Sequence, residues 1–289
     1  MDSVIRLMTH NVWNNDENHA TWAAKGQDCS AEARSAGILR THVETLPDVI
    51  GCQELTKRMA ELLLAGLNRE IGGFAMIEGA FTSIFYRVDK FSLIESDFYR
   101  YPERMEGYDG IFNDAGSKSY CIGVFEEKAS GRRFIFASTH LWWMKSPTEG
   151  MTPPYPGNYQ RGSDEARAYQ LKTLIGRVEK YRGKYECPAF IVGDLNARYD
   201  SMALKAAFSA GYRHTHDVAT DYADDAVGYH YCFADGFKEE YYDEPFVWAI
   251  DHILAIGEKE GAIRRFARYS PDYYFPISDH SPAYADVLI

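Results

Sequence analysis

The spacing of apolar residues predicts a chain built mainly of β-strands, with a few helices between them. Apolar positions three or four residues apart predict helices at residues 30–46, 57–71, 164–181 and 201–210. Alternating or short continuous apolar runs predict strands at residues 4–12, 48–54, 83–87, 91–98, 119–127, 133–140, 189–193, 247–256, 262–269 and 283–288. Many of these strands follow one another directly, which favours an α+β fold in which helices cover a β-sandwich.

Three long segments show no periodic pattern: residues 100–118, 142–162 and 213–246. Loops of this length in a compact domain are often functional. Their aromatic side chains could stack on a nucleobase or a sugar face, or could pack among themselves. These aromatic residues are Trp142, Trp143, Tyr155, Tyr159, Tyr229, Tyr231, Tyr241 and Tyr242. No repeat or linker divides the chain, so we expect one domain over residues 1–289.

The charge of the chain narrows its range of partners. The net charge is −11, because 31 Lys and Arg stand against 42 Asp and Glu. Long polyanions are usually held by Lys and Arg that neutralise phosphates, so we expect no stable binding of duplex DNA. A small phosphorylated substrate is compatible, because a metal ion can supply positive charge locally. The third long loop is itself acidic, with Asp221, Asp224, Asp225, Asp235, Glu239, Glu240, Asp243 and Glu244.

Cysteine usage and the amino-terminal pattern favour a cytoplasmic protein. The chain has five cysteines, an odd number without a CxxC pair, and we expect them to be reduced: Cys29, Cys52, Cys121, Cys187 and Cys232. No apolar run approaches the roughly 20 residues of a membrane helix. The first residues lack the basic and then apolar pattern of a secretory signal. We expect no membrane association, and the oligomeric state stays open.

Polar residues that could carry chemistry stand at the carboxyl ends of apolar strands. A buried strand that ends in a carboxylate must satisfy that charge with a partner or a metal. Asn and carboxylate oxygens without cysteine suit Mg²⁺ or Mn²⁺, which leaves histidines free for acid–base work. The residues at or beside these strand ends are Asn11, Glu54, His140, Asp194, Asn196, Asp251, Asp279 and His280.

The two-residue period of a strand decides which side chains can share a site. Asp194 and Asn196 face the same way, whereas Gln53 and Glu54 face opposite ways. Only one of Asp251 and His252 can therefore point into a common site. By the same argument His10, opposite Asn11, is expected to pack against other elements, and His252, which faces away from Asp251, is expected to be structural too.

Seven short motifs in order give the chain a recognisable resemblance. The series THNVWN, PDVIGCQEL, SIFYRVDKF, STHLWW, VGDLNA, AIDHILA and SDHSP resembles the endonuclease/exonuclease/phosphatase superfamily over nearly the whole chain. A single tetrapeptide is weak, but all of them in order are specific. The resemblance implies a four-layer α/β/β/α sandwich, in which helices flank two packed, mainly antiparallel sheets with the site at one end.

The resemblance also implies a metal centre. Glu54 resembles the main metal ligand of the family, and Asn11 and Asp279 resemble its additional ligands. Mg²⁺ or Mn²⁺ is the expected cofactor, and whether one or two ions act stays open. Taken singly, Glu54 could be a surface carboxylate.

A second group of residues resembles the family's catalytic set. Asp194 is implied to orient or deprotonate the attacking water, and Asn196 to hold a phosphate oxygen. His280 is implied to contact the scissile phosphate and to serve in acid–base chemistry, with Asp251 fixing its ring. His140 resembles the second histidine on the phosphate. Singly, residues 194–196 could be an ordinary turn.

Arg167 and Gln170 lie on the predicted helix that follows the second long loop. They could brace that loop, contact the substrate, or belong to a solvated helix face. They are therefore left out of the catalytic set.

The leading hypothesis is a divalent-metal-dependent phosphodiesterase or phosphatase that acts on a small or single-stranded phosphorylated substrate. A nuclease on single-stranded nucleic acid and a sphingomyelinase-like lipid phosphodiesterase are the enzymatic alternatives. The alternative from another class is a catalytically inactive binding module. Such a module should lack at least one of Glu54, Asp194, Asp251 and His280, and the sequence contains all four.

Overall fold

The computed structural model describes residues 3–14, 26, 28–221, 232–233, 236–237, 249–269, 271–274 and 277–289. Its helices are α1 (Ala31–Thr45), α2 (Lys57–Glu70), α3 (Ser163–Tyr185), α4 (Met202–Ser209) and α5 (Thr215–Val218), with a 3₁₀ turn at Asp272–Tyr274. Strands β1 to β7 are Val4–Asn11, Val49–Gln53, Phe74–Ile77, Ile84–Arg87, Phe91–Arg100, Ser119–Glu127 and Arg133–His140. Strands β8 to β14 are Ala189–Asp194, Arg213–His214, Cys232–Phe233, Gly236–Phe237, Asp251–Ile256, Ile263–Arg268 and Ala283–Leu288.

Local signals in the sequence explain where the longer helices begin and end. The hydroxyls of Ser30, Thr56 and Ser201 each accept a hydrogen bond from a backbone N–H three residues further on, which caps α1, α2 and α4. At the end of α1, Leu46 takes a left-handed conformation and Pro47 follows. Pro47 cannot donate the next helical hydrogen bond, so the chain turns towards β2.

The strands form two mixed sheets of six strands each and a separate ribbon of β10 and β11. The first sheet has the order β13-β14-β1-β2-β4-β3, and the second has the order β5-β6-β7-β8-β12-β9. Among the described strands, β1 with β2 and β7 with β8 pair in parallel, and the other pairs are antiparallel. Each parallel pair forms the two middle strands of its sheet. The carboxyl ends of these strands therefore lie at the centre of one end of the sandwich.

Three apolar cores hold the layers together. The inner faces of the two sheets pack on each other through residues that include Leu7, Val49, Phe136, Val192 and Ile253. Helices α1 and α2 cover the outer face of the first sheet, and α3 and α4 cover that of the second. Burial of apolar area on this scale is the main stabilising term of such a fold. The prediction of an α/β/β/α sandwich with mainly antiparallel sheets is confirmed.

Several predicted boundaries differ from the structure. The strand predicted at 247–256 begins at Asp251, and residues 247–248 lie outside the described part. The short strands β3, β9, β10 and β11 and the helix α5 were not predicted, because such short elements carry little periodicity. Most of the loop at 213–246 lies outside the described residues, with Tyr229, Tyr231, Tyr241, Tyr242 and the Cys232 thiol.

The structure describes the side chains of four of the five cysteines. Cys29, Cys52, Cys121 and Cys187 are free and buried. Among the residues that the structure describes, no helix is both long and apolar enough to cross a lipid bilayer.

Candidate active site

The carboxyl ends of the two central parallel pairs meet and bring the predicted polar residues together. Asn11 ends β1, and in the second sheet His140 of β7 and Asp251 of β12 both pair with Asp194 of β8. Between these ends lies a cavity of about 330 Å³. Its lining residues are Asn14, Glu54, Phe81, Asp114, Ser117, Lys118, His140, Trp143, Asp194, Asn196 and His280. A second cavity of about 520 Å³ lies at the other end of β8, away from this cluster.

Left-handed backbone conformations aim three of the lining side chains. Glu54, Phe81 and Asn196 have φ values of 56°, 61° and 47°. Such values are uncommon for residues other than glycine and concentrate at functional sites. At Glu54 the turn follows the end of β2 directly, so its carboxylate reaches the cavity while Gln53 stays in the core.

Asp194 is the hub of the cluster. One carboxylate oxygen accepts a hydrogen bond from Asn11 Nδ2 at 3.0 Å, and the other accepts one from the Asn196 backbone N–H at 2.9 Å. The ring atoms His140 Nε2 and His280 Nε2 lie 3.4 and 3.8 Å from Asp194 Oδ2. Burial raises the pKa of Asp194, and the neighbouring Asp251 carboxylate adds to the rise. A carboxylate with a raised pKa is a better proton acceptor at neutral pH.

His280 is held by Asp251. Its Nδ1–H donates to Asp251 Oδ2 at 2.8 Å, which leaves Nε2 directed at the cluster. Burial by itself lowers the pKa of His280, but the Asp251, Asp194 and Asp279 carboxylates outweigh burial and raise that pKa well above its ordinary value. These carboxylates favour the charged form of the ring, which carries a proton on Nε2.

His140 meets two donors. Lys118 Nζ lies 2.7 Å and Asn196 Nδ2 lies 3.2 Å from His140 Nε2. Burial, with the positive charges of Lys118 and His280, lowers the pKa of His140 well below its ordinary value. These shifts favour the neutral ring, whose Nε2 can accept hydrogen bonds from Lys118 and Asn196. The neutral ring therefore positions both side chains.

The donor set fits a hard divalent cation. Oxygen atoms of Glu54, Asp279 and Asn11 are of the type that Mg²⁺ and Mn²⁺ take. Asp279 Oδ1 is buried and has no hydrogen-bond partner among the described residues, and the Glu54 carboxylate is 28% exposed and lines the cavity. Asn11 directs Nδ2 at the Glu54 and Asp194 carboxylates, at 3.3 and 3.0 Å, so its amide must turn before Oδ1 can share a cation with Glu54. Two further groups have ligand atoms within 4.8 Å of one another: Glu54 with His140 and Asp194, and Asp194 with Asp251 and His280.

Residues placed outside the site by strand period are structural. His10 is buried, with Nδ1 3.0 Å from His42 Nε2 and Nε2 in contact with the Tyr274 hydroxyl. His252 Nε2 donates to the Ala197 carbonyl at 2.7 Å, and its Nδ1 lies 3.0 Å from His214 Nε2. Neither ring lines the cavity.

Arg167 and Gln170 brace the second long loop. Both are buried, so the solvated-face interpretation is wrong for them. Arg167 Nη1 donates to the carbonyls of Trp142 and Met144 at 3.1 and 2.7 Å. Gln170 Oε1 accepts from the Trp142 backbone N–H at 2.8 Å.

Sequence reasoning missed the part of the lining that comes from the first long loop: Asp114, Ser117 and Lys118. The position of Lys118 beside His140 could have been predicted from the pairing of β6 with β7. The turn at residues 128–131 fixes the β6–β7 hairpin so that Ser119 faces His140, and Lys118 precedes Ser119.

A two-sheet sandwich with acidic residues and histidines clustered at one edge defines a class of phosphoesterases. The sequence model of the Endonuclease/Exonuclease/phosphatase family matches residues 8–280, and the chain belongs to that family. The family name joins nucleases and phosphatases, which both hydrolyse phosphate esters. No curated protein sequence matches the chain.

Solved structures share the fold along almost the whole chain. A family protein from Bacteroides thetaiotaomicron has a TM-score of 0.73 at 17% identity, covering 100% of this chain and 96% of its own. A mannosyl-6-phosphatase from the same species has a TM-score of 0.70 at 18% identity, covering 99% of each chain. The human Nocturnin catalytic domain has a TM-score of 0.61 at 16% identity, covering 100% of this chain and 98% of its own. At these identities the likeness is one of fold.

Proposed function

We propose that the protein is a divalent-metal-dependent hydrolase of phosphate esters. The observation that carries this proposal is the position of Asp194. Its buried carboxylate, whose pKa is raised, lies within 4 Å of two histidine rings and opens on the same cavity as Glu54. The proposed substrate is a small or single-stranded phosphorylated molecule, and the proposed cofactor is Mg²⁺ or Mn²⁺.

The residues divide the chemistry between them. Asp194 takes a proton from the attacking water, whose oxygen bonds to phosphorus as the bond to the leaving oxygen breaks, and the leaving oxygen takes its proton from solvent water. The attacking and leaving oxygens lie roughly in line across phosphorus. Because His280 Nε2 is 3.8 Å from Asp194 Oδ2, it serves the same side of the phosphorus as Asp194. We therefore assign the His280 Nε2 proton to an equatorial phosphate oxygen rather than to the leaving oxygen.

Lys118 supplies positive charge to the remaining oxygens, and Asn196 supplies an uncharged amide N–H donor. Both groups donate to the neutral His140 ring, and both can turn to an incoming phosphate oxygen instead. Glu54, Asp279 and Asn11 would hold the cation, which when bound neutralises phosphate charge and lowers the energy of the transition state. Preorganised donors of this kind usually supply the largest catalytic term.

The alternatives differ in what they require around the cavity. A nuclease needs cationic residues that follow a phosphate chain, and among the described cavity-lining residues Lys118 is the single Lys or Arg. An inactive binding module does not need an oriented acid–base group, whereas here Asp251 orients the His280 ring through a hydrogen bond of 2.8 Å. The hydrolase is therefore favoured over both.

The test is hydrolysis of p-nitrophenyl phosphate and of bis-p-nitrophenyl phosphate, each with Mg²⁺, Mn²⁺ or EDTA. We expect hydrolysis of at least one ester that EDTA abolishes and added metal restores. Asp194→Asn should lower turnover by about 10²-fold or more, since it removes the proton acceptor. Asp97→Asn is the matched control, because Asp97 pairs with Arg177 outside the cavity.

Two outcomes would contradict the proposal. One is near-normal activity of Asp194→Asn at unchanged fold. The other is lack of hydrolysis of both esters and of a panel of nucleic-acid, inositol-phosphate and phospholipid substrates, which would favour the binding module.

A further inference from the structure

The rim of the cavity carries an exposed tryptophan whose orientation is fixed. Trp143 is 42% exposed, and its indole Nε1–H donates to Asp114 Oδ2 at 3.2 Å. The other Asp114 oxygen accepts from the Ser117 hydroxyl at 2.9 Å. All three residues line the cavity that contains Asp194.

This tryptophan is supported from behind. Its neighbour Trp142 is buried, its ring lies 6.1 Å from that of Trp143, and it packs against Phe112. Gln170 binds the Trp142 backbone N–H. An aromatic face held in this way can bind a flat or ring-shaped ligand at little cost in side-chain entropy.

The charges beside the indole restrict what can stack on it. Asp114 is an exposed carboxylate that keeps free lone pairs, and an ionised carboxylate can only accept hydrogen bonds. It therefore attracts hydroxyl donors and repels a second phosphate. Lys118 is the single Lys or Arg among the described lining residues, and the proposed reaction already uses its charge on one phosphate.

The size of the cavity restricts the ligand further. About 330 Å³ lies at the small end of the roughly 300–1,000 Å³ of small-molecule sites. Such a cavity suits one ring with its phosphate, and it does not suit an oligonucleotide.

We propose that the substrate is a phosphate monoester of a single uncharged, hydroxylated ring, that is, a sugar phosphate. The apolar C–H face of the sugar stacks on Trp143 while a ring hydroxyl donates to Asp114. The inference rests on the proposed phosphoester hydrolysis and adds the identity of the group that carries the phosphate. A nucleobase could share the indole face, but its ring acceptors would meet the acceptor-only carboxylate of Asp114.

The first experiment compares kcat/KM for glucose, mannose and galactose 6-phosphates with that for AMP, glycerol 3-phosphate and a dinucleotide. We expect at least one hexose phosphate to exceed all three comparison substrates by on the order of tenfold, because each of them lacks the sugar ring or adds a base or charge. Faster hydrolysis of AMP or of the dinucleotide than of every hexose phosphate would overturn the inference.

The second experiment tests the named residues. Trp143→Ala and Asp114→Asn should each lower the ratio of kcat/KM for the preferred hexose phosphate over glycerol 3-phosphate, which has no ring to stack, by on the order of tenfold. Trp143→Phe keeps a stacking face without the bond to Asp114 and should fall between Trp143→Ala and the wild type. Tyr169→Ala, which removes an exposed aromatic residue outside the cavity lining, should leave the ratio unchanged. An unchanged ratio in both Trp143→Ala and Asp114→Asn would refute the role of this rim.

A binding readout separates this inference from the proposed function. In the Asp194→Asn background, a hexose 6-phosphate should quench tryptophan fluorescence, and Trp143→Ala should abolish the quenching. If the wild type hydrolyses no ester but this quenching is present, the proposed function fails and sugar recognition stands. If p-nitrophenyl phosphate is hydrolysed but no hexose phosphate quenches fluorescence, the sugar inference fails alone.

Discussion

Lys118 is buried beside His140, and no carboxylate among the described residues lies within salt-bridge distance of its ammonium group. Burial lowers its pKa, although Glu54, Asp194 and Asp114 oppose the shift. A buried cation with so little compensation destabilises the fold. The phosphate of the proposed substrate would give this ammonium group a negatively charged partner.

Lys118→Met should therefore separate activity from stability. We expect kcat/KM for the ester that the wild type hydrolyses to fall by about 10²-fold, as when one transition-state donor is removed. The free energy of unfolding in urea should stay the same or rise, because the variant buries an apolar side chain in place of a charge. A loss of stability with full activity would assign Lys118 a structural role.

Lys90→Met is the matched control. Lys90 Nζ binds the buried Asp48 carboxylate at 2.5 Å, far along the sheet from the cavity. This variant should lose stability and keep its activity.

At the scale of elements, helix α3 sets the position of two loops. Arg167 binds the Trp142 and Met144 carbonyls, and Gln170 Nε2 donates to the Phe112 carbonyl at 2.9 Å. The helix thus ties the loop at 142–162 to the loop at 100–118. Both loops carry residues of the cavity rim.

Arg167→Met should loosen this connection. Buried carbonyls left without a charged donor cost about 1.5–3 kcal/mol, so the free energy of unfolding in urea should fall by that amount. KM should rise more than kcat falls, because the rim moves while Asp194 stays on its strand. Lys172→Met, at an exposed position of the same helix, should change neither quantity, and an equal effect of both variants would argue against the brace.

Regular elements explain which parts of the site were predictable. Strand period placed Asp194 and Asp251 at one sheet edge and directed His10 and His252 away from it, because a period of two fixes the facing of each side chain. The left-handed turns at Glu54 and Phe81 have no periodic signature, since they depend on contacts made after folding. The orientation of the Asn11 amide and the hydrogen bonds of Arg167 could not be predicted either, because they depend on contacts with loops distant in sequence.

At the scale of the whole molecule, buried neutral histidines make stability depend on pH. Burial lowers the pKa of His42 to about 3, and burial with the neighbouring His252 lowers that of His214 well below its ordinary value. The unfolded chain binds protons near pH 6.5, where these folded-state rings do not. Their contribution to stability is therefore complete above about pH 6.5 and is lost as the pH falls towards the folded-state pKa.

His42→Gln isolates one such contribution. Between pH 7.5 and pH 5, the free energy of unfolding of the wild type should fall by about 2 kcal/mol more than that of the variant, given the His42 shift. Comparing urea unfolding of the two proteins cancels the other titrating groups, including Asp194, whose raised pKa acts in the opposite sense. Parallel pH profiles would show that His42 is not responsible.

Strand β1 lies in the middle of the first sheet, between β2 and β14. Its neighbour β14 is the last of the described strands to be synthesised, and Asp279 and His280 stand just before it. A growing chain on the ribosome thus carries Asn11 and Glu54 long before it has the residues that complete the cluster. If the proposed function holds, hydrolytic activity requires that translation has passed residue 280, so a chain that terminates earlier should hydrolyse no phosphate ester.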